Sequence, residues 1–362
     1  MGEDLSKIED FSEPITPVEG AKMGVFWDLR GYPFPNSISP DLIYQKIESS
    51  LIEIGFRGKM SIWAYVDEKD VSSWGEFLCK KTWKARLYFL PGGEKPDKRM
   101  FNDILIWEKD SPVDFPEPAS VVVVSDKVRC DPYFLDMLSS MDMGRHYHVY
   151  LVDPTKRVPP ESSEWPILLF DEMHSFARKR GSLCLYRWIC PFCLQDETVV
   201  FWNFEDYPIP RGASLDLIYP NIESALHKMG FHGPVVIMAF GDKLYHDIDA
   251  LSMANIAYDP EVSPGDDSCV WRMTAEIVSF LAVSFPMNYM VVAKQHPELY
   301  RVLHCLKSRN QIVLLLEPPG DTAQQDTLFP CVDSVVDCTK VFGGGKPIHA
   351  LRDNRVYCYL CG

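Results

Sequence analysis

Hydrophobic positions along the chain form short apolar runs that alternate with stretches of helical periodicity. Three runs in the first half, residues 22–27, 120–125 and 148–153, have the length and continuous apolar character of buried strands. Between the first two runs, apolar side chains recur at nearly helical spacing at Leu42, Ile43, Ile47 and Leu51. Strands of this kind that alternate with helices predict a parallel sheet covered on both faces.

The second half of the chain repeats this pattern and much of the sequence. Residues 25–35 read VFWDLRGYPFP, and residues 200–210 read VFWNFEDYPIP, an offset of 175 that persists without a gap as far as Lys69. A repeat of this length indicates two tandem copies of one domain. We predict two three-layer α/β/α domains with mainly parallel sheets at 20–155 and 196–318. A connector at 156–195 and a tail at 319–362 complete the chain.

Composition narrows the classes of function. The 362 residues are 46% hydrophobic and 24% charged, and the net charge of −15 argues against broad, non-specific nucleic-acid binding without excluding a local basic groove. No apolar run approaches the roughly 18–20 residues of a membrane span, and the acidic N-terminus lacks a secretory pattern. Eleven cysteines without such a signal indicate mostly reduced thiols. We therefore expect an intracellular protein without a membrane span.

Acidic residues of the first copy are placed where a parallel sheet binds ligands, outside the carboxyl ends of its strands. Asp28 and Asp126 each follow a predicted strand, Asp97 and Asp103 belong to a predicted helix, and Asp131 follows in the next loop. Carboxylates that converge repel one another unless they share a cation. Mg²⁺ or Mn²⁺ prefers such oxygens and can activate water at a phosphodiester. The five aspartates are our candidate catalytic residues, with Asp28, Asp97 and Asp126 as metal ligands.

Each acid also has a purely structural interpretation. Asp97 could cap a helix, Asp103 could lie on a solvated helix face, and Asp126 and Asp131 could be turn residues. The second copy has Asn203 in place of the first acid, with Ala293, Lys294 and His296 around the second strand end. An amide removes a charge that a metal needs, so we expect the second copy to be non-catalytic.

Two cysteine pairs follow the two copies. Cys190 and Cys193, and Cys358 and Cys361, each have the spacing of half a tetrahedral zinc site. One zinc ion could bridge both pairs, or each pair could be the remnant of a zinc finger. Unliganded reduced thiols are the remaining interpretation.

At these motifs the chain resembles a known family. The segments VFWD…YPFP…IYQKIESSLIEIGFRG and KPDKRMFNDILIWEKD…SVVVVSD resemble the NYN domain of the limkain type, within the PIN-like nuclease superfamily. Residues 332–348 resemble the helix and glycine turn that follow this domain in relatives. The resemblance implies a PIN-like α/β/α fold, an acidic metal pocket and cleavage of RNA. Relatives are tied to control of gene expression and to peroxisomes.

The family motifs map onto this sequence with departures. The first acid falls on Asp28, the helix pair on Asp97 and Asp103, and the fourth motif on Asp126 and Asp131. In that motif the two acids are five positions apart, wider than the family pattern, and Pro132 follows them. Arg30 and Gly31 stand where the family has an acid and an asparagine.

Three functions are compatible with these patterns. The first is a metal-dependent endoribonuclease, weak or degenerate, with the first copy as the active one. The second is a pseudonuclease that binds RNA or protein without cutting, and residues 80–89 (KKTWKARLYF) could then follow a phosphate backbone with Trp83 stacked on a base. The same stretch could instead be an amphipathic strand or loop. The third, sugar hydrolysis, has no support beyond a label that some relatives carry.

Overall fold

A computed structural model describes residues 7–67, 73–113, 119–144, 147–153, 158–175, 198–210, 212–241, 248–260, 268–281, 287–317 and 328–344. The chain divides into two compact units, Met1–Tyr186 and Arg187–Gly362. Each unit contains a six-stranded, mostly parallel sheet flanked by helices. The predicted pair of tandem three-layer α/β/α domains is confirmed.

The sheet of unit 1 has the strand order β3-β2-β1-β4-β5-β6, with the first five strands parallel and β6 antiparallel to β5. Its strands are β1 (Lys22–Asp28), β2 (Lys59–Val66), β3 (Leu87–Pro91), β4 (Ala119–Val124), β5 (Tyr147–Val152) and β6 (His174–Ser175). Its helices are α1 (Pro40–Glu53), α2 (Pro96–Asp110), α3 (Pro132–Gly144) and α4 (Ile167–Phe170). The chain order reverses between β1 and β4, which makes this the switch point of the sheet.

Unit 2 repeats the topology with the order β12-β11-β10-β7-β8-β9. Its strands are β7 (Thr198–Asn203), β8 (Val235–Gly241), β9 (Ile256–Pro260), β10 (Asn288–Val292), β11 (Ile312–Leu316) and β12 (Thr339–Val341). Its helices are α5 (Leu215–Lys228), α6 (Ile248–Met253), α7 (Ser268–Leu281), α8 (Pro297–Ser308) and α9 (Val332–Cys338). Its switch point therefore lies between β7 and β10.

Helix α1 shows how local sequence determines these elements. The Ser39 side chain accepts a hydrogen bond from the backbone N–H of Leu42 at 3.3 Å and caps the helix, and Pro40 occupies its first turn. The helix ends before Gly55, whose φ of 105° lies in the region that glycine adopts without strain. The buried face consists mainly of the predicted apolar residues Ile43, Ile47 and Leu51.

The repeated tryptophan-proline phrase has the same structural role in both units. The indole N–H of Trp27 donates to the backbone carbonyl of Tyr32 at 2.6 Å, and Trp202 makes the equivalent bond to Tyr207 at 2.7 Å. Both indoles are fully buried. A buried N–H needs a partner, so each bond holds the loop after the first strand against the core. This loop carries the residues of the candidate site.

The sheets extend into the segments that the sequence pattern assigns to a connector and a tail. Strand β6 pairs with β5, and β12 pairs with β11, each antiparallel. These edge strands have two and three residues, too few for a periodic pattern. The four zinc-candidate cysteines lie outside the described residues. Within the described ranges, no helix is long and apolar enough to cross a membrane.

Candidate acidic site

The switch point of unit 1 brings together two of the predicted acids. Strand register pairs Trp27 of β1 with Val124 of β4. Asp28, the last residue of β1, and Asp126, two residues after β4, therefore lie at adjacent strand ends. A Cβ atom built on Gly31 would lie 3.3 Å from Oδ1 of Asp126, which shows how closely the loop after β1 approaches that carboxylate. Glycine at this position leaves room beside the acid.

Asp28 is fully buried and only partly hydrogen-bonded. Its Oδ1 accepts the backbone N–H of Arg30 at 3.0 Å, whereas its Oδ2 is buried without a hydrogen-bond partner among the described residues. Burial raises the pKa of Asp28, the Arg30 charge opposes this shift, and the carboxylates of Asp126 and Asp97 add to it. Oδ1 of Asp126 is likewise buried without a partner in the described part of the chain. The two acids therefore present unsatisfied oxygens at one edge.

Asp97 lies in the first turn of α2, at the rim of this site. The helix cap is Lys95, which makes no side-chain capping bond, so the predicted capping role for Asp97 is not the arrangement found. Nη2 of Arg30 lies 3.9 Å from Oδ1 of Asp97. Asp97 therefore contributes negative charge to the site while facing a guanidinium.

Asp103 is held by other residues. It is fully buried, so the interpretation as a solvated helix face is wrong. Its Oδ2 accepts a hydrogen bond from the Tyr65 hydroxyl of β2 at 3.0 Å and lies 3.7 Å from Nε of Arg99, one helical turn earlier. These contacts tie α2 to the sheet and give Asp103 a structural role in this arrangement.

Asp131 caps helix α3. Its Oδ1 accepts the backbone N–H groups of Tyr133 and Phe134 at 3.1 and 3.2 Å, and its Oδ2 forms an ion pair with Lys98. Pro132 begins the helix, a position that proline favours because no N–H is needed there. The proline that departs from the family motif is thus part of a regular helix start.

The donor set limits which metal centre could form here. Among the described residues, no three or more His, Cys, Asp or Glu side chains are placed to share one ion. Mg²⁺ in proteins commonly keeps several waters and takes one or two carboxylates. The unsatisfied oxygens of Asp28 and Asp126 fit a single hydrated ion of this type. They do not fit a two-ion centre, which needs more ligands.

The structure adds residues that the sequence pattern did not select. Asp153 directly follows β5, and its Oδ2 lies 2.5 Å from Nε of Arg129. The Tyr32 hydroxyl lies 3.4 Å from Oδ1 of Asp153, and burial, followed by the Asp153 charge, raises the pKa of Tyr32. The strand-end rule that selected Asp28 and Asp126 also applies to the run HVYLVD and would have found Asp153.

At the corresponding edge of unit 2, the polar groups of the Asn203 side chain have hydrogen-bond partners. Oδ1 of Asn203 accepts the Glu205 backbone N–H at 2.9 Å and the Cys269 thiol at 3.1 Å. Its Nδ2 donates to Oδ2 of Asp206 at 2.8 Å, and the same oxygen accepts the backbone N–H of Lys294 at 2.8 Å. Asp206 stands at the position of Gly31 by the 175-residue offset. Unit 2 therefore has an acid at the position where unit 1 has glycine.

Sheet register locates the counterpart of Asp126. Trp202 pairs with Val292, as Trp27 pairs with Val124, and two residues further along the strands stand Lys294 and Asp126. Unit 2 therefore has a neutral amide and a lysine where unit 1 has two carboxylates. Its edge lacks the acidic pair on which our metal prediction for unit 1 depends.

The basic-aromatic stretch 80–89 is packed into unit 1. Trp83 is 8% exposed, and its indole N–H donates to the carbonyl of Leu87 at 2.8 Å. The Lys81 ammonium lies 4.2 Å from the ring centre of Tyr88, and burial lowers the pKa of Lys81 to about 8. The expectation that Trp83 stacks on a base is wrong for this conformation, because the ring belongs to the core.

Comparison with known proteins gives no family assignment. No protein-family model and no curated protein matches the chain. Among solved structures, a hexameric APS kinase from Thiobacillus denitrificans aligns with 79% of this chain and 66% of its own at 12% identity, with a TM-score of 0.17. A TM-score this low carries no argument about fold or activity.

Proposed function

We propose that this chain is a degenerate NYN-type endoribonuclease that acts on RNA in the control of gene expression, with weak cleavage confined to unit 1. The observation that carries the proposal is the pair Asp28 and Asp126 at the switch point, because each has a carboxylate oxygen that is buried without a hydrogen-bond partner among the described residues. The resemblance of the surrounding motifs to the NYN family supports RNA as the substrate class. The cysteine content supports an intracellular site of action.

Different residues of unit 1 would have different roles in such a reaction. Asp28 and Asp126 would hold one Mg²⁺ or Mn²⁺ ion, and the ion would supply a more acidic water and charge stabilisation at the phosphodiester. Gly31 keeps the space beside Asp126 free of a side chain. Tyr65 and Arg99 fix α2 through Asp103, and Asp131 fixes the start of α3.

Basic side chains at the rim support RNA as the ligand. Arg30, Lys98 and Arg129 are 38, 32 and 48% exposed, and each lies beside an acid of the carboxyl edge. Exposed guanidinium and ammonium groups next to a cation site are suited to phosphate oxygens. Each of these cations is paired with an acid, so together they partly neutralise the acidic charge at this edge.

The same ion pairs account for weak activity. Asp97, Asp103 and Asp131, three of the five candidate acids, each face a basic side chain, namely Arg30, Arg99 and Lys98. Two carboxylates remain for the ion, fewer than a two-ion nuclease employs. We therefore expect slow turnover that depends strongly on the concentration of metal.

Cleavage of labelled single-stranded RNA by the full chain in Mn²⁺ tests the proposal. The wild-type protein should cleave slowly, and a chelator should stop the reaction. Asp28→Asn and Asp126→Asn should each slow cleavage at least about tenfold, within the range for disrupting a metal site. Asp131→Asn is the matched control, because asparagine also caps helices well, and it should retain the wild-type rate. Equal rates for wild type and Asp28→Asn would contradict the proposal.

A second candidate is an inactive scaffold that binds RNA or protein. The closed network of Asn203, Asp206 and Lys294 in unit 2 and the Arg30–Asp97 contact in unit 1 favour it. RNA binding that falls steeply with salt, without metal-dependent cleavage, would select this candidate. Cleavage that is lost in Asp28→Asn would exclude it.

A further inference from the structure

Arg30 contacts two of the acids of this site, Asp28 and Asp97. Its backbone N–H donates to Oδ1 of Asp28 at 3.0 Å, and its Nη2 lies 3.9 Å from Oδ1 of Asp97 across the gap to α2. Arg30 therefore links Asp28, at the end of β1, with Asp97, in the first turn of α2. Its guanidinium lies near Asp97 and is carried by the loop that follows Asp28.

The charge balance of this site gives Arg30 a specific effect. Burial raises the pKa of Asp28, the Arg30 charge lowers it, and the charges of Asp126 and Asp97 raise it further. A positive charge in the same site as two unsatisfied carboxylate oxygens lowers the electrostatic gain available to an incoming divalent ion. The guanidinium thus partly fulfils the role that such an ion would have.

We propose that Arg30 is a built-in counter-cation that competes with the divalent ion for the acidic site and thereby sets its affinity for metal. This inference rests on the proposed metal role of Asp28 and Asp126. The long contact with Asp97 and the partial exposure of Arg30 suit a displaceable group, since exposed ion pairs are weak. The Arg30 charge then partly balances the acids at low metal concentration, and the ion takes over this role at high concentration.

Calorimetric titration of the full chain with Mn²⁺ tests the proposal without measuring cleavage. Arg30→Gln removes the charge and keeps a polar side chain of intermediate length, so Mn²⁺ affinity should rise about tenfold. Arg30→Lys keeps the charge and should stay within about twofold of wild type. Arg129→Gln removes an equal charge at the same edge, but Arg129 pairs with Asp153, so it should change the affinity little.

The outcomes separate this inference from the proposed function. Equal Mn²⁺ affinity in wild type and Arg30→Gln, with binding abolished by Asp28→Asn, would overturn the role of Arg30 and leave the metal site intact. Absence of Mn²⁺ binding in both wild type and Arg30→Gln would overturn both. An equal rise in affinity for Arg129→Gln would show a general charge effect and would also reject a specific role for Arg30.

Discussion

Units 1 and 2 share an architecture and differ at one edge of the sheet. Both have the same strand order, and in both a buried tryptophan bonds to a tyrosine carbonyl in the loop after the first strand. At the position that ends this strand, unit 1 has Asp28 with an unpartnered oxygen, and unit 2 has Asn203 with both polar atoms bonded. The fold therefore does not require an acid here.

The difference indicates that the buried acid lowers the stability of unit 1. A buried carboxylate without a full set of partners destabilises a folded protein, whereas a fully bonded amide does not. Unit 2 has an amide in place of this acid and Asp206 where unit 1 has Gly31. Unit 1 has the less favourable arrangement, and acids perturbed by burial in this way occur often at functional sites.

The largest effect should come from Asp103, because its contacts with Tyr65 and Arg99 give it a structural role, whereas Asp28 has an oxygen without a partner. Asp103→Ala should destabilise unit 1 by roughly 3 kcal/mol, because it leaves Arg99 without its buried partner. Tyr65→Phe, which removes only the hydroxyl, should cost about 1 kcal/mol. Urea unfolding measures both variants. Loss of Mn²⁺ binding in folded Asp103→Ala protein would instead make Asp103 a ligand.

Asn203→Asp tests the closed edge of unit 2 directly. The change removes the donor to Asp206 and places a buried carboxylate beside that acid, so unit 2 should lose roughly 2 kcal/mol at neutral pH. The loss should shrink in acid, where the new carboxyl is protonated. Urea unfolding at pH 7 and pH 4 provides the comparison. Unchanged stability at pH 7 would mean that the hydrogen bonds of Asn203 contribute little to the stability of unit 2.

Asp28→Asn is the converse change in unit 1, and its effect should be smaller. The pKa of Asp28 is raised above its ordinary value of 3.8, so the folded state binds this proton more tightly than the unfolded chain. The resulting stability is present in acid and is lost as pH rises through the folded pKa. Above it, Asp28→Asn should be more stable than wild type by about 1 kcal/mol. This advantage should vanish below about pH 4, near the unfolded pKa. An Asp28→Asn variant that is less stable than wild type at pH 7 would contradict the claim that the Asp28 carboxylate destabilises unit 1.

Local patterns in the sequence predict much of this structure. Continuous apolar runs identify β1, β4 and β5, the 175-residue repeat identifies the second unit, and the strand-end rule places Asp28 and Asp126 together. These features depend on neighbouring residues and on the general geometry of parallel sheets. They are therefore visible in a single sequence.

The remaining features depend on contacts between distant residues. Asp103 is buried because Tyr65, which lies 38 positions earlier on β2, faces it. Asp131 pairs with Lys98, 33 positions away. Trp83 is covered by aromatic side chains that include Phe77 and Phe89. Residue type and spacing alone give no sign of these partners.

The number of Mn²⁺ ions bound by the full chain is the most direct test of the central claim, which is that the acidic pair of unit 1 seats one divalent ion. Electron paramagnetic resonance of free Mn²⁺ during titration gives this number. The variant Asp28→Asn combined with Asp126→Asn should bind one ion fewer than wild type, while Asp131→Asn should bind the same number as wild type. An equal number of ions in the double variant and wild type would contradict the claim.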